Sequence, residues 1–292
     1  MGFSNRAASK FGFNRSDDST PVNVLGGLGT AYNITYADDL TSGRNLDLTW
    51  SRETISSIPV VLYFNGHSFS RSDRSKAEGL CGVIAHRGKF VANVGFRDLK
   101  HGITVRDSLT DAIKAVEWLR SRQDTYNIDM SDIVVTGSSY GALMALWLTM
   151  YLNGNRLAEE LGVEKPPVHV SGLGLFTGMT DTTSGDVTMR GIADSMRKIG
   201  REDKELGEAI DPWNNHDLRM LPPIFQVTST LDSAEPDVYR LNRLLDINKV
   251  AHHTMEFGEN SRTVRGFMEN HHDSNECART VSVMFNYFKD NQ

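Results

Sequence analysis

Ser139, at the centre of Gly137-Ser138-Ser139-Tyr140-Gly141, is the residue of this 292-residue chain whose type and setting best suit a nucleophile. A Gly-x-Ser-x-Gly run between a strand and a helix has a physical rationale. The central serine sits on a sharp, strained turn, and glycines two before and two after let strand and helix approach closely. The turn lifts the Oγ out of the sheet and aims the helix N-terminus at the reacting centre. With 25 glycines in the chain, the pentapeptide alone is a weak signal. Its setting is stronger, because the buried-type strand Asp132-Ile133-Val134-Val135-Thr136 leads into it and an apolar helix follows from Ala142. The competing reading is a tight Gly/Ser turn without chemistry.

The elements around this turn alternate. β-like runs at 32–36 and 46–50 read as an antiparallel sheet edge, followed by continuous apolar runs at 59–64, 90–96 and 132–136. Further strands are expected at 168–176, 223–228 and 253–257. A helix is predicted over 108–122, opened by a Ser108/Asp111 capping box and carrying a Leu109, Ile113, Val116, Leu119 stripe. The helix 142–152 is apolar nearly all round, so it must be covered on both sides. A last helix, 274–289, is capped by Asp273 or Ser274 and sets Cys277, Val281, Met284, Phe285 and Phe288 to one side. Buried strands alternating with helices predict an α/β fold, a mostly parallel sheet with helices on both faces. Residues 1–24 read as a polar arm, and 25–292 as one domain. The polar stretch 180–210, with helical pieces at 192–199 and 203–210, reads either as a solvated excursion or as a lid over a pocket.

A net charge of −6 with mixed signs argues against nucleic acid or an anionic membrane as partner. Two distant cysteines, Cys81 and Cys277, form no disulfide framework, although one bridge is open. No Cys/His spacing suggests a metal, and no organic cofactor is called for. Met1-Gly2-Phe3-Ser4-Asn5-Arg6 leads into no signal-like run, and no stretch approaches the roughly 18 apolar residues that span a bilayer, so a cytoplasmic location is expected. The sequons at Asn14 and Asn33 then read as chance matches.

Several pieces stand in a telling order: Val60 to Phe69, 107–119, Tyr126-Asn127-Ile128-Asp129, the elbow, Pro222-Pro223-Ile224-Phe225 and Arg265-Gly266-Phe267. Over roughly residues 45–290 the chain resembles an α/β-hydrolase of the esterase/lipase type, near the hormone-sensitive-lipase and feruloyl-esterase-like groups. The resemblance implies an eight-stranded, mostly parallel sheet with a small lid insertion. It also implies a nucleophile, acid and base in that chain order. Asp232, just past the strand at 223–228, matches the acid, with Asp237 as its substitute. In the family the oxyanion donors follow a His-Gly-Gly-Gly-Phe run, here Asn65-Gly66-His67-Ser68-Phe69. The donors become the backbone amides of His67, Ser68 and Tyr140, with His67 a further candidate proton acceptor.

The base slot departs from the family. Where relatives carry His-Gly-Phe, this chain has Arg265, and arginine stays protonated. Three explanations stand side by side. His271 or His272 reaches the serine from the loop before the last helix; or the chain is a catalytically impaired or repurposed relative; or Arg265 is an engineered or accidental replacement. His252 and His253 belong to a strand and read as structural. The expected function is a carboxylesterase cleaving small esters through a Ser139 acyl-enzyme, and amidases and peptidases share this machinery. The alternative is a binder whose arginine-lined pocket suits a carboxylate or phosphate. The expected partner is a small-molecule ester, with a homodimer left open.

Overall fold

The computed structural model describes residues 22–25 (backbone), 27–37, 43–53, 57–66, 73–99, 102–178, 203–258, 263 and 266–292. His67, Ser68, Arg265, the segment 1–21 and most of the expected lid lie outside the described residues.

The eight expected strands all form: β2 (Leu28–Thr35), β3 (Asn45–Ser51), β4 (Ile58–Phe64), β5 (Phe90–Val94), β6 (Ile128–Ser138), β7 (His169–Phe176), β8 (Ile224–Ser229) and β9 (His252–Phe257). One more, β1 (Val22–Leu25), pairs antiparallel with β2. It takes in the last residues of the expected polar arm, where Val22 and Val24 favour an extended chain. The sheet runs β1-β2-β3-β5-β4-β6-β7-β8-β9, antiparallel through the β3–β5 pair and parallel from there to β9. From β4 the chain first moves to β5 on one side and then returns to β6 on the other. The β4/β6 boundary is thus the topological switch point, and in open α/β sheets the crevice beyond the carboxyl ends of such strands holds the ligand.

Helices cover both faces. Val60, Leu62 and Phe64 of β4 pack with α2 (Val105–Ser121) and α4 (Tyr140–Asn153), whereas Val61 and Tyr63 face α1 (Glu78–Ala85) and α9 (Asn275–Asp290). The short α3 (Gln123–Tyr126), α5 (Arg156–Leu161), α6 (Lys204–Ile210) and α8 (Phe267–Asn270) and the longer α7 (Glu235–Asn248) fill the connections. Every residue of α4 from Tyr140 to Leu152 is buried, as its all-round apolar sequence requires. Ser274 caps α9, accepting the Cys277 amide at 3.1 Å. Cys81 and Cys277 are free, buried thiols.

The α2 start differs from expectation. The helix begins at Val105, one turn earlier, because Thr104 and Asp107 form a reciprocal capping box with the same spacing as Ser108 and Asp111. Asp111 is instead fully buried. Its Oδ1 accepts Arg44 Nε at 2.8 Å and Arg97 Nη2 at 2.9 Å, and its Oδ2 accepts Arg97 Nε at 2.7 Å and the Arg97 amide at 3.1 Å. One carboxylate therefore ties the chain entering β3 and the chain leaving β5 to α2.

Removing one member of a buried charge network leaves the others unpaired. Asp111→Ala is expected to lose roughly 3–5 kcal/mol in urea unfolding. The buried thiols give a second prediction. Burial, with a contribution from Asp273, pushes the Cys277 thiol from 9.0 up to about 12. The fold thus favours the neutral thiol, and this contribution is present below the unfolded value and lost as pH rises from about 9 towards 12. Stability should fall over that window, less steeply in Cys277→Ala, when unfolding is followed at stepped alkaline pH.

Candidate active site

The turn between β6 and α4 has the geometry that its sequence demands. Ser139 adopts φ 52°, ψ −120°, a conformation that costs a non-glycine residue about 1–3 kcal/mol and persists only where its surroundings over-determine it. Those surroundings are backbone. A Cβ on Gly137 would lie 2.3 Å from the Gly141 carbonyl oxygen, and one on Gly141 would lie 2.1 Å from that of Phe64. A Cβ on Gly66 would lie 2.4 Å from the Ser138 oxygen and 2.9 Å from Ser139 Cβ. The ends of β4 and β6 and the start of α4 are therefore in direct main-chain contact. The Ser139 amide donates to the Phe176 oxygen at 3.1 Å, locking the turn to β7 as well.

Tyr140, the first residue of α4, is buried by its side chain while its amide belongs to the helix N-terminus. The N-terminal end of a helix carries the positive end of its dipole, which favours negative charge nearby. The ring packs edge-on against Phe96 at 5.7 Å and against Trp147 at 6.4 Å. Trp147 Nε1 in turn donates to the Ile210 oxygen at 2.9 Å, fastening the end of α6 to α4. Of the two helical pieces expected in the stretch 180–210, the second is α6, capped by Asp203; the first, at 192–199, lies outside the described residues.

Asp232 is buried just beyond β8, in a turn where its Oδ1 accepts the Ala234 amide at 2.8 Å. Its Oδ2 is shielded from solvent. β8 stands two strands from β6, a lateral span of roughly 10 Å that one imidazole with a hydrogen bond at each nitrogen can bridge. Asp237 lies in the first turn of α7, buried and paired with Arg240.

The loop after β9 turns at Gly266-Phe267. Gly266 takes φ 80°, open to glycine without strain, and Phe267 is buried edge-on against Phe257 at 5.3 Å. The two expected bases separate here. The His272 ring turns towards α1, so close that a Cβ on Gly79 would lie 2.3 Å from its Cδ2, and its Nδ1 lies 3.2 Å from the Glu269 oxygen. It lines a cavity of about 420 Å³ with Leu28, Thr30 and Thr49 of β2 and β3. β3 is three strands from β6, some 14 Å across the sheet. His271 closes α8, half-buried, its amide bonded to the Phe267 oxygen at 2.7 Å. Among the described residues no hydrogen bond joins the Ser139 hydroxyl to a histidine. His253 stacks between Phe225 and Tyr287, and the His252 Nδ1 lies 3.0 Å from the Val250 oxygen, so both serve β9 packing.

Comparison with known proteins agrees with this fold. The family model for BD-FAE matches residues 46–231. The chain belongs to the BD-FAE family. That makes it a hormone-sensitive-lipase/feruloyl-esterase-like α/β-hydrolase. No curated protein matches by sequence. Among solved structures it is similar to esterase B from Lactobacillus rhamnosis, at TM-score 0.82 and 18% identity over 98% of this chain and 91% of the other. It is also similar to a bacterial heroin esterase, at 0.68 and 20% over 92% and 86%. A third is an esterase from Pyrobaculum calidifontis, at 0.65 and 19% over 97% and 88%.

In this BD-FAE family member, one residue near the Ser139 turn escapes sequence reasoning. Glu269, on α8, is buried, and its Oε1 accepts both Tyr63 Oη at 2.6 Å and the Gly66 amide at 3.1 Å. Its burial, the charge of Glu269 and their hydrogen bond hold the Tyr63 hydroxyl well above its usual range, so it stays a donor. Nothing marks a glutamate four residues past Arg265, because its partners lie some two hundred positions earlier in the chain.

The elbow's main-chain contacts give a direct test. Gly141→Ala, whose Cβ would meet rigid backbone, should cost at least 1–3 kcal/mol in urea unfolding. Gly258→Ala, in open space, should stay within about 0.5 kcal/mol.

Proposed function

We propose that this protein is a serine-type carboxylic ester hydrolase acting on small esters through an acyl-enzyme at Ser139. The observation that carries the reading is the strained Ser139 conformation on a strand–helix turn at the sheet's switch point. Family membership and the esterase fold support it. One related structure is esterase B inhibited by a tributyrin phosphonate, and a short-chain ester is the matching choice of substrate here.

In this reading the Ser139 hydroxyl attacks the ester carbonyl as a base takes its proton. The amide of Tyr140, with those of His67 and Ser68, receives the charge that develops on the carbonyl oxygen. The same base returns the proton to the leaving alcohol, and water then releases the acyl group. Asp232 orients the base. Of the two histidines, His271 is the proposed base, because the ring of His272 is engaged against α1. A second reading is favoured by Arg265 next to an intact Gly266-Phe267 turn: a relative with impaired turnover whose pocket holds a carboxylate or phosphate.

The two readings separate with a fluorophosphonate probe and nitrophenyl butyrate. Labelling and turnover should both vanish in Ser139→Ala, with turnover falling about 10⁴- to 10⁶-fold. His271→Ala should fall by a comparable factor and His272→Ala by less than about threefold. An inert native chain that gains turnover on Arg265→His would reject the hydrolase reading in favour of the second.

A further inference from the structure

We infer that Glu269 is a positioning residue for the reaction proposed at Ser139, holding the exit of β4 against the loop that follows β9. The inference rests on the hydrolase reading. Two donors from one short segment converge on a single carboxylate oxygen, Tyr63 from its side chain and Gly66 from its backbone. Gly66 is the residue whose α-carbon backs onto Ser138 and Ser139, and it directly precedes His67 and Ser68 in the chain. Glu269 itself sits in the first turn of α8, with its amide bonded to the Gly266 oxygen at 3.2 Å, four residues past Arg265 and two past the Gly-Phe turn. One buried carboxylate therefore couples three things: the chain that supplies oxyanion donors, the elbow it touches, and the loop that carries the family's base slot.

The coupling is directional. A carboxylate accepts both hydrogen bonds without a competing donor of its own, and the hydrogen bond to a charged group is shorter and stronger than a neutral one. Tyr63 is fully buried beneath α1 and cannot follow Gly66 if the β4 exit swings away. The Tyr63 hydroxyl fixes the carboxylate, and the carboxylate fixes the Gly66 amide. Loss of the acceptor should thus be felt where charge develops on the substrate oxygen, in kcat, with substrate binding little changed.

The experiment compares Glu269→Gln, Glu269→Ala and Tyr63→Phe in the full chain, each checked for folding by circular dichroism and urea unfolding. Readouts are kcat and KM on nitrophenyl butyrate, the fluorophosphonate labelling rate of Ser139, and hydrogen exchange of the peptide spanning Gly66. Glu269→Gln keeps an acceptor oxygen and should retain kcat within about fivefold, a variant that also covers the case in which Glu269→Ala fails to fold. Glu269→Ala should lower kcat and labelling rate by tenfold or more, leave KM within twofold, and speed exchange at Gly66. Tyr63→Phe frees the carboxylate on one side but leaves its bond to the Gly66 amide, so it should lower kcat by a smaller factor than Glu269→Ala, about two- to fivefold, with KM unchanged. A folded Glu269→Ala with native kcat, or a Tyr63→Phe that loses as much kcat as Glu269→Ala, would overturn the assignment. An unaltered chain with neither labelling nor turnover would instead bring down the hydrolase reading, and with it this one.

Discussion

The whole site depends on one steric constraint: main chain must meet main chain where β4, β6 and α4 converge. Gly66, Gly137 and Gly141 lack side chains at the three points where a Cβ would strike a carbonyl oxygen. That closeness forces Ser139 into positive φ, and the surrounding core resists its relaxation. The strain of one residue is offset by burial of an entire helix, since every side chain from Tyr140 to Leu152 is inside. The backbone conformation of Ser139 and the stability of the sheet centre are thus two readings of the same packing.

A second constraint is the polar line beneath α1. Paired across the strands in register are Thr136, Tyr63, Asn93 and Asp47, all near the carboxyl ends of the parallel strands. Burying polar groups on this face is costly unless they find partners, and three of the four side chains do. Glu269 takes the Tyr63 hydroxyl, the Arg74 carbonyl accepts from Asn93, and the Arg74 guanidinium pairs with Asp47 at 2.9 Å. The hydrogen-bonded part of the row runs from Tyr63 on β4 to Asp47 on β3, so elements far apart in sequence are registered by hydrogen bonds rather than by hydrophobic area alone.

The strands, the elbow and the apolar α4 were legible because each is local: periodicity, a turn signature and composition decide them. The start of α2 was misplaced because two capping patterns follow one another at the same spacing, and only tertiary structure shows that Asp111 is claimed by Arg44 and Arg97. β1 went unread because four residues carry too little pattern to outweigh a polar neighbourhood. At the site, Asp232 stands where a sequence slot put it, past β8 and buried. The histidines were beyond reach, since which way His272 turns depends on the bare surface of Gly79, a glycine with no local turn to explain it. Glu269 was invisible for the same reason: its meaning lies in partners from the other end of the fold.

The bond from Trp147 to the Ile210 carbonyl has a consequence for how such a chain can diversify. The polypeptide leaves the sheet at Thr177, whose amide is held by the Val227 oxygen at 2.9 Å, and returns to a point nailed onto α4. Both ends of the intervening stretch are fixed in the frame of Ser139. Insertions or deletions between these two points therefore act on a connection whose ends are held by β8 and α4, so the geometry at Ser139 does not depend on the length of chain between them.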